Sequence, residues 1–337
     1  MKIKLGIFFG GKSAEHDVSI VSAKAIVKNI DRENYGITLF YISRQGFIYL
    51  VNENDFNENN FIKNHKLSFL SWENLISIKD KIDIYFPVLH GPYGEDGKIQ
   101  ALFEMAGVPF VGADSFSSAL AMDKVVSKIL FERKGLKTVD FLYFTDNNSE
   151  HIKELVEKKL GYPIFVKPAS LGSSVGITKV YNEEKLDRSV NLAFKYDKKI
   201  IIEKSHNVRE IEIAVMGNEE LIVSKPGEVI PFKDFYDYED KYELGKTKFN
   251  IPVKLDSNLE KKVRTIARKG FRALGLRGFS RVDLFIDKDT NEVYINEINT
   301  IPGFTEISMF PKLMALEGYD FSLLISKLIE LGFEANK

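Results

Sequence analysis

GFSRVDLFID at positions 278–287 and VYINEINTIPGF at 293–304 form the stretch that decides the fold of this chain. Polar and apolar residues alternate along both segments, as they do on β-strands, where successive side chains point to opposite faces. Val282, Leu284 and Ile286 are therefore predicted to face a core. The segment DKDTN at 288–292 is rich in turn formers and suits a hairpin loop between the two strands.

The other face of this predicted hairpin collects polar side chains. If the loop is those five residues, Asp283 lies opposite Glu297 and Arg281 lies opposite Asn299. Asp283, Glu297 and Asn299 offer hard oxygen ligands, which suit Mg²⁺ when phosphate oxygens complete its shell. A half-exposed antiparallel strand shows the same alternation by default. On the hairpin alone, a solvent-exposed face without a metal site is therefore an equally good interpretation.

Composition limits the class of protein. The 337 residues are enough for two or three domains with a sizeable core. A formal net charge of −1 creates no overall field, so neither nucleic acid nor a membrane surface is expected as a partner. The absence of Cys excludes disulfides and thiolate chemistry and fits a cytoplasmic protein. No apolar run reaches the roughly 18 residues that predict a transmembrane helix.

Strand and helix patterns alternate in the first third of the chain. Strands are predicted at 3–9, 35–42 and 82–89, and helices at 18–30 and 98–107. This alternation predicts a parallel sheet flanked by helices. Ligands of such sheets sit at the carboxyl ends of the strands, so the loops at 10–17 and 90–97 are candidate binding loops.

Two further units follow along the chain. The second has predicted helices at 123–135 and 151–161 and strands at 162–168, 176–180 and 199–204. The third has a hairpin around Gly217, a polar aromatic loop at 233–248, a helix at 257–275 and a packing helix from about 320. The predicted domains are 1–112, 113–203 and 204–337.

The segment VKPASLGSSVGITKV at 166–180 is a candidate phosphate loop. A strand delivers Lys167, and Gly172, Ser173 and Ser174 then allow close approach of the backbone and offer N–H and O–H donors. The segment is not a Walker motif, because no Gly-Lys-Ser/Thr opens a helix here. A flexible hairpin connection is the alternative interpretation.

Three other segments place polar residues where strands end. In IIEKSHNVREIEIAV (201–215), Glu203 and Glu210 could accept hydrogen bonds from a nucleotide, or could mark an exposed domain boundary. In LHGPYGEDGKIQ (89–100), His90 begins a glycine-rich loop that leads to a helix N-terminus. In FFGGKSAEHDVS (8–19), the glycine pair lacks the G-x-G-x-x-G spacing, which argues against a dinucleotide-binding site. Glu15 in this loop is instead a candidate carboxylate for binding the substrate.

Taken in order, these motifs closely resemble those of the D-alanine–D-alanine ligases, a family of the ATP-grasp superfamily. The resemblance runs from about residue 5 to about 312 and rests on the Glu15 loop, HGPYGEDG (90–97), AMDK (121–124), KPASLGSSVG (167–176), IIEK (201–204), YDYEDKY (236–242), RVD (281–283) and NEINTIPGF (296–304). It implies an α/β and α+β chain: an N-terminal Rossmann-like parallel-sheet domain followed by two ATP-grasp subdomains that clamp ATP. It also implies ATP-dependent joining of two D-alanines through a D-alanyl phosphate, for peptidoglycan precursor synthesis.

The resemblance also implies roles at the nucleotide. Lys124 and Lys167 would hold the ATP phosphates, and Ser173 and Ser174 would lie in the loop over them. The remaining nucleotide contacts would be Glu203 and Lys204 at the adenine, Glu210 at the ribose and Lys241 in a mobile loop. Two Mg²⁺ ions, or Mn²⁺ in their place, would be bound by Asp283, Glu297 and Asn299.

Roles at the amino acids follow from the same resemblance. Glu15 would orient the ammonium group of the first D-alanine, and Arg281 with the Gly303 backbone N–H would form an oxyanion hole. The amino-acid sites would be lined by His90, Arg281, Ser308 and Met309. Tyr242 would join Glu15 and Ser173 in a hydrogen-bonded set and would favour D-alanine over D-lactate as the second substrate. The resemblance further suggests a homodimer.

Three alternatives stay open on the sequence. The chain could be another carboxylate–amine ligase, or a D-alanine–D-lactate ligase. Its strand–helix–strand start could belong to a dinucleotide-dependent oxidoreductase, or the chain could bind nucleotide without catalysis.

Overall fold

The computed structural model describes residues 2–58, 68–70, 81–172, 175–230 and 247–337. Within these ranges the chain forms three β-sheets with helices packed against them. None of the helices in the described ranges is long and apolar enough to cross a membrane. In chain order the α-helices are α1 (His16–Asn29), α2 (Glu53–Asn57), α3 (Lys98–Ala106), α4 (Ser115–Met122), α5 (Lys124–Arg133), α6 (Ser149–Lys159), α7 (Leu186–Phe194), α8 (Ser257–Ala273), α9 (Met309–Ala315) and α10 (Phe321–Ala335).

The first sheet comes from the N-terminal third of the chain. Its strands are β1 (Ile3–Gly10), β2 (Tyr35–Ile42), β3 (Ile48–Val51), β4 (Ser68–Leu70) and β5 (Ile84–Pro87), arranged in the order β4-β3-β2-β1-β5. The β2-β1-β5 core is parallel, as predicted. The sheet also contains β3 and β4, which the sequence analysis did not predict and which pair antiparallel. A tight turn, with Gly46 at φ +91°, folds β3 back on β2, so no crossover helix is needed.

The second sheet is antiparallel and has four strands. They are β6 (Phe141–Phe144), β7 (Ile164–Pro168), β8 (Thr178–Val180) and β9 (Ile200–Lys204), in the order β6-β9-β7-β8. β7 and β9 are direct neighbours, and Phe165 pairs with Glu203 between them. The sheet therefore brings the predicted Lys167 strand beside the predicted Glu203 strand.

The third sheet is also antiparallel. Its strands are β10 (Val208–Met216), β11 (Ile222–Val223), β12 (Gly227–Ile230), β13 (Lys248–Asn250), β14 (Phe279–Asp287) and β15 (Val293–Asn299). The main order is β13-β12-β10-β14-β15, and β11 pairs with β10 to form the hairpin predicted around Gly217.

The β14–β15 hairpin has the predicted cross-strand pairs, but a bulge produces them. Arg281 faces Asn299 and Asp283 faces Glu297, whereas nearer the turn Leu284 faces Ile295. Asn296 is therefore one extra residue on β15. Without this bulge, Glu297 would point to the apolar face of the sheet, because a shift of one residue turns a side chain to the other face.

Helix α8 covers the apolar face of the third sheet. Its buried residues, Val263, Ala267, Gly270 and Phe271, recur at helical spacing. A Cβ on Gly270 would lie 2.3 Å from the Ile295 side chain, so a larger residue would displace that side chain. Helix α8 thus packs closely on the apolar face of the hairpin, opposite the face that carries the polar side chains.

The C-terminal helix packs against the first sheet. Leu324 and Leu328 of α10 belong to one buried cluster with Leu5 and Ile7 of β1. The expectation of a packing helix from about residue 320 is therefore confirmed. The domain limits 1–112, 113–203 and 204–337 stay a prediction. The prediction missed β3, β4, β6, β12, β13, α2, α4, α7 and α9, none of which is longer than nine residues.

Candidate active site

Two cavities meet beside the β14–β15 hairpin. The first measures about 620 Å³ and lies between the second and third sheets. The second measures about 940 Å³ and is bounded by α1, the loop after β5 and the segment that follows β15. Both volumes suit small-molecule ligands. Gly172, Glu212, Arg281 and Glu297 line both cavities, so ligands bound in the two would meet at these residues.

Arg281 organises the polar face of the hairpin. Its Nε and Nη2 donate to Oδ1 and Oδ2 of Asp283, both at 2.7 Å, and its Nε is 3.1 Å from Glu212 Oε2. Burial alone would lower the pKa of Arg281, but Asp283 and Glu212 raise it well above the usual value. The guanidinium therefore carries a permanent charge where the cavities meet.

The predicted metal ligands lie together on this face. Asn299 Nδ2 donates to Asp283 Oδ2 at 2.9 Å, and Asp283 is directly opposite Glu297. In the described part of the chain, no three His, Cys, Asp or Glu side chains form a metal-holding group. Two carboxylates and one amide oxygen fit a hard cation whose other ligands come from phosphate and water.

Lys124 begins α5 and reaches the junction of the cavities. Its Nζ donates to the Leu171 carbonyl at 2.8 Å and is 3.2 Å from Glu297 Oε2. Asp123 caps the helix by accepting from the N–H groups of Val125 and Val126. The cap fixes the start of α5, and with it the position of Lys124 beside Glu297.

Lys167 shares a carboxylate with a lysine that the sequence analysis missed. Glu203 Oε2 accepts from Lys167 at 2.5 Å, and Glu203 Oε1 is 2.9 Å from the Nζ of Lys128. Burial alone would raise the pKa of Glu203, but Lys128 and Lys167 bring it down to about 2. Lys128 lies one helical turn after Lys124, and that spacing was the available signal.

The predicted adenine and ribose contacts line the first cavity. Glu203, Lys204 and Glu210 are all at its wall. Lys204 Nζ donates to the Leu160 carbonyl at 2.7 Å. Both carboxylate oxygens of Glu203 lie within ion-pair distance of lysines, so its contact with adenine stays a prediction.

Glu15 and His90 lie in the second cavity, on the two loops that the strand order indicated. Glu15 precedes α1, and His90 follows β5. His90 Nδ1 is 2.9 Å from the Ile301 carbonyl, and its Nε2 is 2.9 Å from Ser22 Oγ. Burial lowers the pKa of His90, and the nearby Glu15 offsets this only in part. A neutral imidazole thus ties the segment after β15 to the first sheet.

Gly303, Ser308 and Met309 also line the second cavity, as predicted. Ser308 Oγ accepts from the Thr305 N–H at 3.0 Å and is 2.7 Å from Thr305 Oγ1. A Cβ on Gly303 would lie 3.0 Å from Ser308 Oγ, which favours glycine at this close approach. These contacts fold the 303–309 segment into one side of the cavity.

Four predicted site residues lie outside the described ranges. They are Ser173, Ser174, Lys241 and Tyr242. Residues 233–246 of the predicted lid are outside these ranges as well. The roles assigned to them stay predictions.

Glu95 is a second residue that the sequence analysis missed. It lines the second cavity, and its Oε1 accepts from the Gly91 N–H at 3.0 Å. Burial, followed by the charge of Glu15, raises the pKa of Glu95 to about 8. The carboxyl group therefore keeps its proton in the folded state over a pH range in which an unfolded chain would lose it.

This shift predicts a pH-dependent cost in stability. Between about pH 4.5 and pH 8 the folded state binds more protons than the unfolded state, so the free energy of unfolding falls as pH rises. Because Glu95 faces a cavity open to solvent, we expect roughly 2 kcal/mol, less than the full shift implies. Chemical denaturation at pH 5 and pH 8 measures the free energy of unfolding, which should decrease less between these two pH values in Glu95→Gln than in wild type. The exposed control Glu219→Gln should match wild type, and equal losses in all three proteins would contradict the assignment.

Comparisons with known proteins agree with this geometry. Residues 4–113 match the family model for the D-ala D-ala ligase N-terminus, and residues 130–330 match the model for its C-terminus. The D-alanine–D-alanine ligase of Clostridium acetobutylicum is 45% identical over 343 residues, which covers 100% of this chain and 99% of that protein. That of Thermoanaerobacter pseudethanolicus is 45% identical over 351 residues, covering 99% and 98%.

Solved structures agree as well. The VanG D-Ala:D-Ser ligase from Enterococcus faecalis is 38% identical with a TM-score of 0.90, over 98% of this chain and 100% of that one. The D-alanine–D-alanine ligase from Coxiella burnetii is 32% identical with a TM-score of 0.87, over 99% and 95%. Matches to both halves of the family and to whole relatives show that this chain belongs to the D-alanine–D-alanine ligase family, with the ATP-grasp fold.

Proposed function

We propose that this chain joins two D-alanine molecules into D-alanyl-D-alanine, with conversion of ATP to ADP and phosphate. The observation that carries the proposal is the junction of the two cavities at Arg281 and Glu297. ATP in the first cavity and an amino acid in the second would place the γ-phosphate beside the carboxylate. That contact is what a D-alanyl phosphate intermediate requires.

The first half-reaction activates the carboxylate of the first D-alanine. A carboxylate is a poor electrophile, and phosphorylation gives it a good leaving group. The γ-phosphoryl group transfers through a transition state with dispersed negative charge. Lys124 and Lys167 lie at the wall of the nucleotide cavity and would stabilise that charge. Two Mg²⁺ ions, or Mn²⁺, held by Asp283, Glu297 and Asn299 would supply further neutralisation.

The second half-reaction forms the peptide bond. Glu15 would hold the ammonium group of the first D-alanine, and the neutral His90 beside it adds no competing charge. The second D-alanine would bind near Ser308 and Met309, and its amine must be neutral to attack. Arg281 and the Gly303 N–H would then stabilise the oxyanion.

An acyl phosphate is hydrolysed by water, so the site needs closure during turnover. The loop at 233–248 is the proposed lid, and its Lys241 and Tyr242 retain their proposed roles beside the ATP and the substrates. Ser173 and Ser174 are proposed to cover the phosphates. Equal hydrogen exchange in this loop with and without ATP and D-alanine would count against a lid.

Other properties are proposed from the family. The three domains would be 1–112, 113–203 and 204–337, and the chain would act as a homodimer in the cytoplasm, supplying peptidoglycan precursors. Neither nucleic acid nor membrane is proposed as a partner. Light scattering of the purified protein tests the oligomeric state directly.

The likeness to the VanG D-Ala:D-Ser ligase favours one alternative, D-serine as the second substrate. An assay of ADP release with D-alanine, D-serine, D-lactate or L-alanine, followed by mass analysis of the product, separates the candidates. We expect ADP release with D-alanine alone and D-alanyl-D-alanine as the main product of a mixture. D-alanyl-D-serine or D-alanyl-D-lactate as the main product, or no D-alanine-dependent ADP release, would contradict the proposal.

A further inference from the structure

A buried trio of charges lies behind the nucleotide cavity. Lys128 of α5 and Lys167 of β7 each approach one oxygen of the Glu203 carboxylate. The side chains of Lys128 and Glu203 are 0% and 2% exposed, whereas that of Lys167 is 11% exposed. The trio therefore combines one carboxylate and two lysine side chains in a site that solvent barely reaches. Burial lowers the pKa of Lys128, and the Glu203 carboxylate beside it acts against this and favours the ammonium form.

Only one of the two lysines can contact a nucleotide. Lys167 and Glu203 are among the described side chains that line the first cavity, and Lys128 is not. Lys128 would thus act on a ligand only through Glu203. A group that acts in this way is a positioning residue.

The charge balance gives Lys128 its importance. Lys124, the other lysine proposed to bind phosphate, already faces Glu297 at 3.2 Å. If Lys167 alone opposed Glu203, the two would form a neutral pair with little attraction for a polyphosphate. A second ammonium on Glu203 leaves the trio with a net positive charge, and Lys167 is the member that presents it to the cavity.

Helix α5 links the two lysine sites mechanically. Lys124 and Lys128 are one turn apart, and each pairs with a carboxylate of a different sheet: Glu297 of β15 and Glu203 of β9. Pairs at this spacing lie on one face of a helix. One rigid element therefore sets both lysine–carboxylate contacts.

We propose that Lys128 is a positioning residue for the nucleotide phosphates: its charge on one oxygen of Glu203 leaves the trio net positive, and Lys167, held by the other oxygen, presents that charge to the phosphates. The proposal rests on the proposed function only in placing a nucleotide in the first cavity. It concerns binding of the phosphates and not of the adenosine.

The test uses Lys128→Met, which removes the charge and keeps the length of the side chain. We expect ADP, measured by calorimetry with Mg²⁺ present, to bind roughly tenfold more weakly, which is about 1.4 kcal/mol. Adenosine, which has no phosphates, should bind with unchanged affinity. The KM for ATP should rise in parallel, and the KM for D-alanine should not.

Lys134→Met is the matched control, because Lys134 is an exposed lysine directly after α5. It should leave both affinities as in wild type. Unchanged ADP affinity in Lys128→Met, or equal losses for ADP and adenosine, would overturn the proposal. If that variant does not fold, Lys128→Gln is judged by the same criteria. If the proposed function were wrong, the wild-type protein would still bind ADP, but it would form no ADP from ATP when D-alanine is added.

Discussion

Replacement of Glu297 by Gln is expected to lower turnover by about a thousandfold, the effect of several kcal/mol of lost transition-state stabilisation. Glu297 lines both cavities and faces Asp283 across the hairpin. The amide keeps the shape of the side chain but removes the charge that Lys124 and a cation would require. Because the side chain is 25% exposed, the fold should survive the change.

Turnover of Glu297→Gln is measured as D-alanine-dependent ADP release, with thermal unfolding as the check on folding. The control is Glu292→Gln, at the turn end of the same hairpin, where Glu292 pairs with Lys137 and Lys262 on the surface. The control should turn over as wild type does, because surface ion pairs contribute little. A folded Glu297→Gln protein with wild-type turnover would remove Glu297 from the proposed metal site.

Replacement of Arg281 by Lys should lower kcat by about 10²–10³, the usual effect of losing an oxyanion donor, about 2.7–4 kcal/mol. The guanidinium uses two nitrogens to hold Asp283 and also contacts Glu212. A lysine keeps the charge, but its single ammonium cannot reproduce this fork and also reach the reacting carbonyl.

Arg281→Met separates charge from geometry. It leaves the carboxylates of Glu212 and Asp283 without their shared cation, so we expect a loss of about 3–5 kcal/mol in the free energy of unfolding as well. Urea denaturation measures this loss, and single-turnover kinetics measure the chemical step. Arg281→Lys with wild-type kcat would show that this side chain does not stabilise the oxyanion.

Local patterns were sufficient for the elements that form the walls of the site. The strand at 35–42 was predicted with the bounds that the structure shows, because β-branched and aromatic residues, which favour strands, make up most of it. The loops at 10–17 and 90–97 were chosen from the rule for parallel strands, and Glu15 and His90 do share one cavity. Local pattern failed to reveal β3, a strand of four residues that pairs antiparallel with β2.

Glu95 and Lys128 show the limit of this reasoning. Lys128 belongs to a helix-forming segment and Glu95 to a glycine-rich loop. In both segments, a charged residue on the surface would give the same sequence pattern as a buried one. Their roles come from partners distant along the chain: Glu203 for Lys128, and Glu15 for Glu95. Burial of a charge is a property of the packed chain, and periodicity does not report it.

The order of the motifs and the alternation along the last two strands were enough to select the predicted site residues, and those in the described ranges do line the two cavities. The tertiary structure was needed to show how Glu297 comes to lie opposite Asp283. The turn closes one residue earlier than the simple loop predicts, and the bulge at Asn296 restores the pairing with Asp283. The spacing of Val293, Ile295 and Ile298 reflects this bulge, because the apolar residues are two apart before it and three apart across it. Burial of these three side chains against α8 is what stabilises the bulged pairing, since any other register would expose them.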